Sequence, residues 1–264
     1  IDRNYAHAGY HGHITAKGSH DMEACDAIYY PMKNKKSNTA LKRRKRRRLG
    51  AFIFVVVLLA LAVVAVRIYN MNKPSRDAEL LTLVNPWNTI PDGYEPQLFT
   101  LSDGQQIDRR CYDDLMRMLD DCRAAGNSPY ICSAYRTWDK QQALFDNKIQ
   151  RLENEGMDAD TARVEAAKVV AVPGTSEHQL GLALDIIDTG YTNLDEGQED
   201  TATQQWLMAH CWDYGFILRY PNGTTDITGI IYEPWHYRYV GRTAAAQIHE
   251  LGVTFEEYID MFYK

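Results

Sequence analysis

Residues 176–185 read SEHQLGLALD, and residues 233–236 read EPWH. The two stretches contain two histidines and one aspartate in a small-residue context: His178, Asp185 and His236. Two imidazoles and one carboxylate can supply three protein ligands to a tetrahedral zinc ion and leave the fourth position open to water, which is how catalytic zinc is held. The sequence therefore predicts a catalytic rather than a structural zinc site.

Glu233 lies three residues before the second histidine. A carboxylate at that spacing can reach a water at the open position and act as its general base. Gly181 and Ala183 alternate with larger residues in a predicted strand over residues 180–187, on the same side as Asp185. That face would carry little bulk beside the metal, as a substrate cleft requires.

The remaining histidines are not part of a comparable motif. A lone histidine is more often a core or surface group than a ligand, and we assign that role to His210 and His249. Four further histidines near the start of the chain show no recognisable ligand spacing, and we predict no metal site there: His7, His11, His13 and His20.

The sequence resembles the VanY-type D-alanyl-D-alanine carboxypeptidases, a zinc peptidase group that also includes the hedgehog fold. Residues 176–185 match the motif S-x-H-x-x-G-x-A-x-D of that family, and residues 233–236 match E-x-W-H. Residues 133–137 read SAYRT where the family usually has S-G-Y-R-S, and residues 215–221 read GFILRYP. The similarity runs from about residue 83 to the C-terminus. It implies zinc bound by the two histidines and the aspartate, with the glutamate of E-P-W-H as the catalytic base.

The resemblance also implies that Arg136 binds the terminal carboxylate of the substrate, helped by Gln141 and Ser176, and that Trp235 walls the pocket. The planar guanidinium offers a fork of donors that matches the two oxygens of a carboxylate. An exposed arginine at a helix start, a capping role for the serine and a core position for the tryptophan are the alternatives.

The implied activity is zinc-dependent removal of the C-terminal D-alanine from a peptidoglycan stem peptide. An L,D-carboxypeptidase acting on tetrapeptide stems is an alternative, because the same motifs serve both reactions. A non-catalytic, zinc-stabilised cell-wall binding module is a second alternative. Glu233 argues against it, since a structural site has no need of a base beside an open coordination position.

The predicted elements follow one another without a βαβ rhythm, which indicates an α+β fold. Together with the resemblance this predicts a small antiparallel sheet flanked by helices, as in hedgehog and D,D-peptidase domains, preceded by one transmembrane helix. The predicted helices cover residues 107–125, 138–155, 160–170, 203–214 and 243–251. The predicted strands cover residues 130–135, 180–187, 216–220 and 230–232.

Residues 49–66 form an apolar run of 18 residues without a charge. As a helix rising about 1.5 Å per residue, the run is long enough to span a bilayer. Residues 33–48 carry ten Lys or Arg and no acid, which by the positive-inside rule places the N-terminus in the cytoplasm. A buried helix of a soluble protein and a signal peptide cleaved near residues 60–62 are the alternatives. The run exceeds the usual length of a cleaved apolar region, which favours an uncleaved anchor.

This pattern predicts four segments in a protein of the cell membrane. Residues 1–48 are a basic, disordered cytoplasmic segment, and residues 49–68 are the transmembrane anchor. Residues 69–79 are a polar linker, and residues 80–264 are an extracytoplasmic zinc carboxypeptidase domain. Met32 begins a basic-then-apolar export pattern, so we expect the natural start there.

From residue 67 to the C-terminus the chain has 17 basic and 31 acidic side chains, a net charge of −14. Such a charge disfavours nucleic acid as a partner. We expect the membrane and a stem peptide ending in D-alanine instead. The same region holds Cys111, Cys122, Cys132 and Cys211. A bond between the second and third of these is one expectation, and burial as apolar thiols is the other.

Overall fold

The computed structural model describes residues 35–71 and 78–263, and the chain divides into two units, Ile1–Val63 and Val64–Lys264. A long helix, α1 (Lys35–Met71), contains the apolar run. Its section Lys42–Val66 contains an 18-residue window with a mean hydropathy of 3.2 and is long and apolar enough to cross a membrane. The apolar side chains of this section are exposed on every side, as at Phe52 and Leu59. A helix that is apolar all round requires apolar surroundings.

Two sheets form in the region that follows. A two-stranded sheet and an antiparallel four-stranded sheet are built from β1 (Leu98–Thr100), β2 (Gln106–Asp108), β3 (Pro129–Ser133), β4 (Ala183–Asp188), β5 (Phe216–Leu218) and β6 (His236–Tyr239). The order in the larger sheet is β3-β4-β6-β5. The helices are α2 (Tyr112–Ala124), α3 (Trp138–Asn154), α4 (Ala159–Ala167), α5 (Ala202–His210), α6 (Thr225–Thr228), α7 (Arg242–Leu251) and α8 (Phe255–Tyr263).

The central strands place alternate residues on opposite faces of the larger sheet. Leu184 and Ile186 of β4, with Tyr237 of β6, pack into the main core with side chains of α2 and α5. The intervening residues face the other way. Asp185 is the direct partner of His236 across the β4–β6 pair, so their side chains lie on the same face.

Helices α3 and α4 pack against each other beside this face through their own small core, which contains Phe145, Leu152, Ala162 and Ala166. Each helix begins at a residue whose side chain accepts a backbone N–H of the first turn. Thr137 accepts that of Lys140, and Asp158 that of Thr161.

The α+β fold with a small antiparallel sheet and flanking helices is confirmed, but several elements were predicted wrongly or missed. The helix predicted from residue 107 begins at Tyr112, because the preceding residues form β2 and a 3-10 turn. Residues 230–232 form no strand. The N–H of Ile231 bonds the carbonyl of Lys168, and that of Glu233 bonds the carbonyl of Tyr220, so the backbone there bonds to loops. Strand β6 and helix α8 were not predicted.

The four cysteines among the described residues are free thiols and form no disulfide. Cys122 and Cys132 are both free, as are Cys111 and Cys211. Burial raises the pKa of Cys122 to about 11 and that of Cys132 to about 12, which suppresses the reactive thiolate. Of the two expectations, the structure agrees with apolar thiols.

Candidate metal centre

A short 3-10 helix, Glu177–Leu180, carries the first candidate ligand, His178. Gly181 ends this helix with a φ of +72°, a left-handed conformation that favours glycine. A Cβ at that position would also lie 3.0 Å from the backbone nitrogen of Asp108. The expectation that Gly181 lies in the strand was therefore wrong: the strand begins at Ala183, and the glycine turns the chain into it.

Three buried side chains converge where this helix meets the sheet. The ligand atoms of His178, Asp185 and His236 all lie within 4.8 Å of one another. Oδ1 of Asp185 is 3.3 Å from Nε2 of His178 and 3.1 Å from Nδ1 of His236. This donor set and spacing fit a tetrahedral zinc ion with one position left over.

The hydrogen bond of His178 sets its tautomer. Its Nδ1 lies 2.8 Å from the carbonyl oxygen of Ala134, so Nδ1 carries the proton and Nε2 presents a lone pair toward Asp185. Burial and the charge of Arg136 lower the pKa of His178 to about 4, which keeps the ring neutral as a ligand requires.

The pKa values of the other two candidate ligands are shifted in opposite directions. Burial raises the pKa of Asp185, but the neighbouring His178 and Arg136 outweigh burial and hold it well below its usual range. Burial lowers the pKa of His236, but the neighbouring carboxylates of Asp185 and Glu177 outweigh burial and raise it to about 9. Buried negative charge around this ring therefore draws a positive charge into the site.

Glu233 lies beside His236, with Oε2 3.6 Å from Nδ1 of the ring. The N–H of His236 bonds the carbonyl of Glu233, and this turn holds the carboxyl group next to the candidate ligands. Burial, with the charge of Asp185, raises the pKa of Glu233 to about 8, although His236 and Arg136 act in the opposite direction. A carboxyl group tuned toward neutrality in a cleft suits general acid–base chemistry.

Arg136 reaches the site from the loop between β3 and α3. Its Nη2 donates to Oδ2 of Asp185 at 2.5 Å, and its Nε donates to Oγ of Ser133 at 2.9 Å. Nη1 is the least engaged nitrogen, 3.5 Å from Oε1 of Gln141. The guanidinium is thus held rigidly by three neighbours and still borders open space.

A cavity of about 410 Å³ opens beside these groups, a volume typical of small-ligand sites. Seven of the eight predicted site residues line it: Arg136, Ser176, His178, Asp185, Glu233, Trp235 and His236. Ser176 makes no capping hydrogen bond. Gln141 does not line the cavity, because it is fully buried and donates to the carbonyl of Ala171 at 2.6 Å.

Two further residues contact the centre although no sequence pattern assigned them a role. The ring of Tyr220 lies 4.8 Å from that of His236 and lines the cavity. Glu177 lies at the Nε2 edge of the same imidazole, with its Oε2 3.6 Å from Nε2. Tyr220 lies in GFILRYP and Glu177 in SEHQLGLALD. Nothing in the sequence of these stretches distinguishes the two residues from core residues.

A larger cavity of about 530 Å³ lies elsewhere, lined by residues such as Trp212, Pro221 and His249. It contains no group of three candidate metal ligands, because the described residues form one such group and it lies at the smaller cavity. Chemistry rather than volume therefore locates the candidate site.

Comparison with known proteins agrees with this geometry. A family model described as VanY, D-alanyl-D-alanine carboxypeptidase, matches residues 104–242. A D-alanyl-D-alanine carboxypeptidase of Enterococcus faecalis is 45% identical over 180 residues, which cover 68% of this chain. The chain spans 65% of that relative's length.

Two solved structures are similar. One is a mutant of the vancomycin resistance D,D-pentapeptidase VanY from a VanB-type cassette in complex with Zn(II), with a TM-score of 0.63 and 43% identity over 69% of this chain and 99% of that one. The other is the LdcB LD-carboxypeptidase, with a TM-score of 0.60 and 36% identity over 70% of this chain and 88% of that one. The predicted resemblance is confirmed: the chain belongs to the VanY family of D-alanyl-D-alanine carboxypeptidases.

Proposed function

We propose that this protein is a zinc-dependent D,D-carboxypeptidase that removes the C-terminal D-alanine from peptidoglycan stem peptides. The observation that carries the proposal is the convergence of His178, Asp185 and His236 beside a buried carboxyl group, Glu233, at one cavity. The Enterococcus faecalis relative is a D-alanyl-D-alanine carboxypeptidase and the similar VanY structure contains zinc, which supports the substrate class and the metal.

Zinc would be held by Nε2 of His178, a carboxylate oxygen of Asp185 and Nδ1 of His236, which are the atoms that face one another. When bound there, the ion supplies a Lewis acid that polarises the scissile carbonyl and acidifies a water. The protein supplies surroundings from which water is largely excluded, because all three side chains are buried. His178 is held by the carbonyl of Ala134, Asp185 by Arg136, and His236 by Asp185.

Glu233 acts as the base. Its carboxylate removes a proton from the attacking water, and the C–N bond of the terminal peptide then breaks. The same carboxyl group returns the proton to the departing amine, which leaves as free D-alanine. Because burial already raises the pKa of Glu233 to about 8, the group can hold a proton for the second transfer.

Arg136 binds the terminal carboxylate through the nitrogen that is least engaged, Nη1, at the wall of the cavity. Gln141 supports this arginine from beneath and does not contact the substrate. Ser176 adds a hydroxyl to the same wall, and Trp235 closes one side. A free C-terminal carboxylate is what separates a carboxypeptidase substrate from an internal peptide bond, and a fixed guanidinium reads it directly.

The apolar section of α1 supports attachment to the membrane. We infer that residues 49–68 anchor the protein, that the basic residues before them stay in the cytoplasm, and that residues 69–79 link the anchor to an outer catalytic domain at residues 80–264. In this arrangement the catalytic domain faces peptidoglycan. Protease treatment of intact protoplasts should digest the domain and spare the basic segment.

The deciding experiment incubates the full chain, purified in detergent, with muropeptides and follows D-alanine by mass spectrometry. Pentapeptide stems should lose one D-alanine, and a chelator should abolish the release until zinc is restored. Release from tetrapeptide stems alone would establish the L,D-carboxypeptidase alternative instead. Zinc binding without release from either stem would favour the binding-module alternative.

A further inference from the structure

Glu177 occupies a position that the motif S-x-H leaves open, yet it is the most enclosed carboxylate at the site, with 1% of its surface exposed. Its Oε1 accepts from Nε of Arg219 at 2.7 Å and lies 2.9 Å from Nη1 of Arg238. Both arginines are fully buried. Both cations lie at the same oxygen, so the other oxygen remains available as a hydrogen-bond acceptor.

The other oxygen of Glu177 points at the metal centre. Oε2 is 3.6 Å from Nε2 of His236, and both atoms are buried without a hydrogen-bond partner in the part of the chain that the structure describes. An unpaired buried acceptor and an unpaired buried ring nitrogen each cost free energy. Mutual pairing removes both costs, and neither atom has a competing partner.

The tautomer of His236 determines what this pairing does. Nδ1 of the ring faces Asp185, so Nδ1 must be unprotonated to bind a metal ion. A neutral imidazole then carries its proton on Nε2, the nitrogen that faces Glu177. Outer carboxylates that accept the second N–H of a ligating histidine fix the orientation of the ring and raise its basicity.

We propose that Glu177 is a positioning residue of the metal centre, accepting the Nε2–H of His236 and so directing Nδ1 at the ion. This inference rests on the proposed zinc site and extends it outward. His178 is oriented by a neutral backbone carbonyl, that of Ala134. The two histidines would therefore be held differently, one by a carbonyl and one by a full negative charge.

Glu177 is in turn held by a buried chain of charges. Arg219 spans from Glu177 to Glu256 of α8, with its two terminal nitrogens 2.9 and 2.6 Å from the oxygens of Glu256. Asn85 donates to Glu256 at 3.0 Å. Glu177 and Glu256 therefore share one arginine, but Glu177 is the one that faces His236. This arrangement provides a matched control.

The test compares E177Q with E256Q in the full chain, stripped of metal. Each substitution removes one carboxylate charge from Arg219, so both should lower the free energy of unfolding. Zinc affinity is measured by competition with a chromogenic chelator, after circular dichroism has established the folded fraction. We expect E177Q to weaken zinc binding about 10- to 100-fold and to change the visible spectrum of the cobalt-substituted protein. E256Q should stay within about threefold of the unaltered chain.

Equal zinc affinity in E177Q and the unaltered chain would overturn the proposal, as would an equal loss in both variants, which would reduce Glu177 to a structural role. A measurement on the unaltered chain decides the case even if E177Q fails to fold. Nitrogen NMR of the zinc-loaded, histidine-labelled protein should show one zinc-bound ring protonated at Nε2 and the other protonated at Nδ1. Two rings both protonated at Nδ1 would exclude the role of Glu177. Absence of zinc binding by the unaltered chain would instead refute the proposed function itself.

Discussion

Two buried carboxyl groups, Glu233 and Asp114, differ in how the protein treats them. They are almost equally enclosed, with 7% and 8% of their surfaces exposed. Asp114 accepts from Tyr239 at 2.8 Å and from Arg242 at 2.8 Å. Glu233 lies 3.6 Å from His236, and burial is the largest influence on its pKa. The pKa of Asp114 is lowered, because its hydrogen bonds with Arg242 and Tyr239 outweigh burial, whereas that of Glu233 is raised to about 8.

The difference separates a structural carboxylate from the one that we propose as the catalytic base. A buried carboxylate that accepts enough hydrogen bonds from the protein stays ionised and links the elements that carry the donors. A buried carboxylate that accepts too few is stabilised by binding a proton or a cation from the solvent. At the candidate metal centre Asp185 and Glu233 lie beside two imidazoles, with Glu177 behind His236, and carboxyl groups close to a pair of imidazoles suit a divalent ion.

The largest expected effect comes from removing a candidate ligand. Asp185→Ala should abolish zinc binding and D-alanine release together, because two imidazoles alone hold the ion weakly and Arg136 loses its partner. Metal analysis by mass spectrometry after dialysis measures the zinc content. Stoichiometric zinc in this variant would contradict the ligand assignment.

Glu233→Gln keeps the shape of the side chain and removes the proposed base. Turnover should fall about 10²- to 10⁴-fold, the usual contribution of general acid–base catalysis, while zinc stays bound. Release of D-alanine at saturating substrate gives the rate, with zinc content measured on the same sample. A near-native rate would place the base elsewhere and would remove the contrast between Glu233 and Asp114.

Arg136→Met should mainly raise KM for a stem peptide, by about 10- to 100-fold, since a charge-assisted hydrogen bond to a carboxylate contributes roughly 1.5–3 kcal/mol. The variant should retain zinc. Loss of zinc instead would mean that the arginine acts through Asp185, to which it is bonded at 2.5 Å, rather than on the substrate. Substrates with an amidated C-terminus provide the control, because they should be equally poor for both proteins.

Asp114→Asn should affect stability and leave catalysis unchanged. We expect a loss of about 1–2 kcal/mol in the free energy of unfolding at pH 7, limited because Arg117 and Arg242 are about half exposed. The folded-state pKa of Asp114 is depressed, so its contribution is present above about pH 4 and is lost as the pH falls further. Denaturant unfolding curves of both proteins should therefore converge in acid. A difference that persists unchanged at pH 2 would contradict this origin.

The sequence predicted which side chains meet at the candidate site better than it predicted the elements around them. Spacing and residue type singled out His178, Asp185, His236 and Glu233, because zinc chemistry restricts the ligands to few side chains. The strand beginning at His236 was missed, although HYRY alternates polar and aromatic residues as a strand does. Its register against β4 depends on hydrogen bonds between segments about fifty residues apart.

Local sequence thus determined the α+β class, the apolar helix, the family and the candidate donor set, because these follow from periodicity, composition and short motifs. Tertiary structure alone decided the rest. It placed Gln141 next to Arg136, left Cys122 and Cys132 as free thiols, and set Glu177 between the Nε2 edge of His236 and two buried arginines. Burial and distant charges establish these relationships, and neither can be seen along the chain until it has folded.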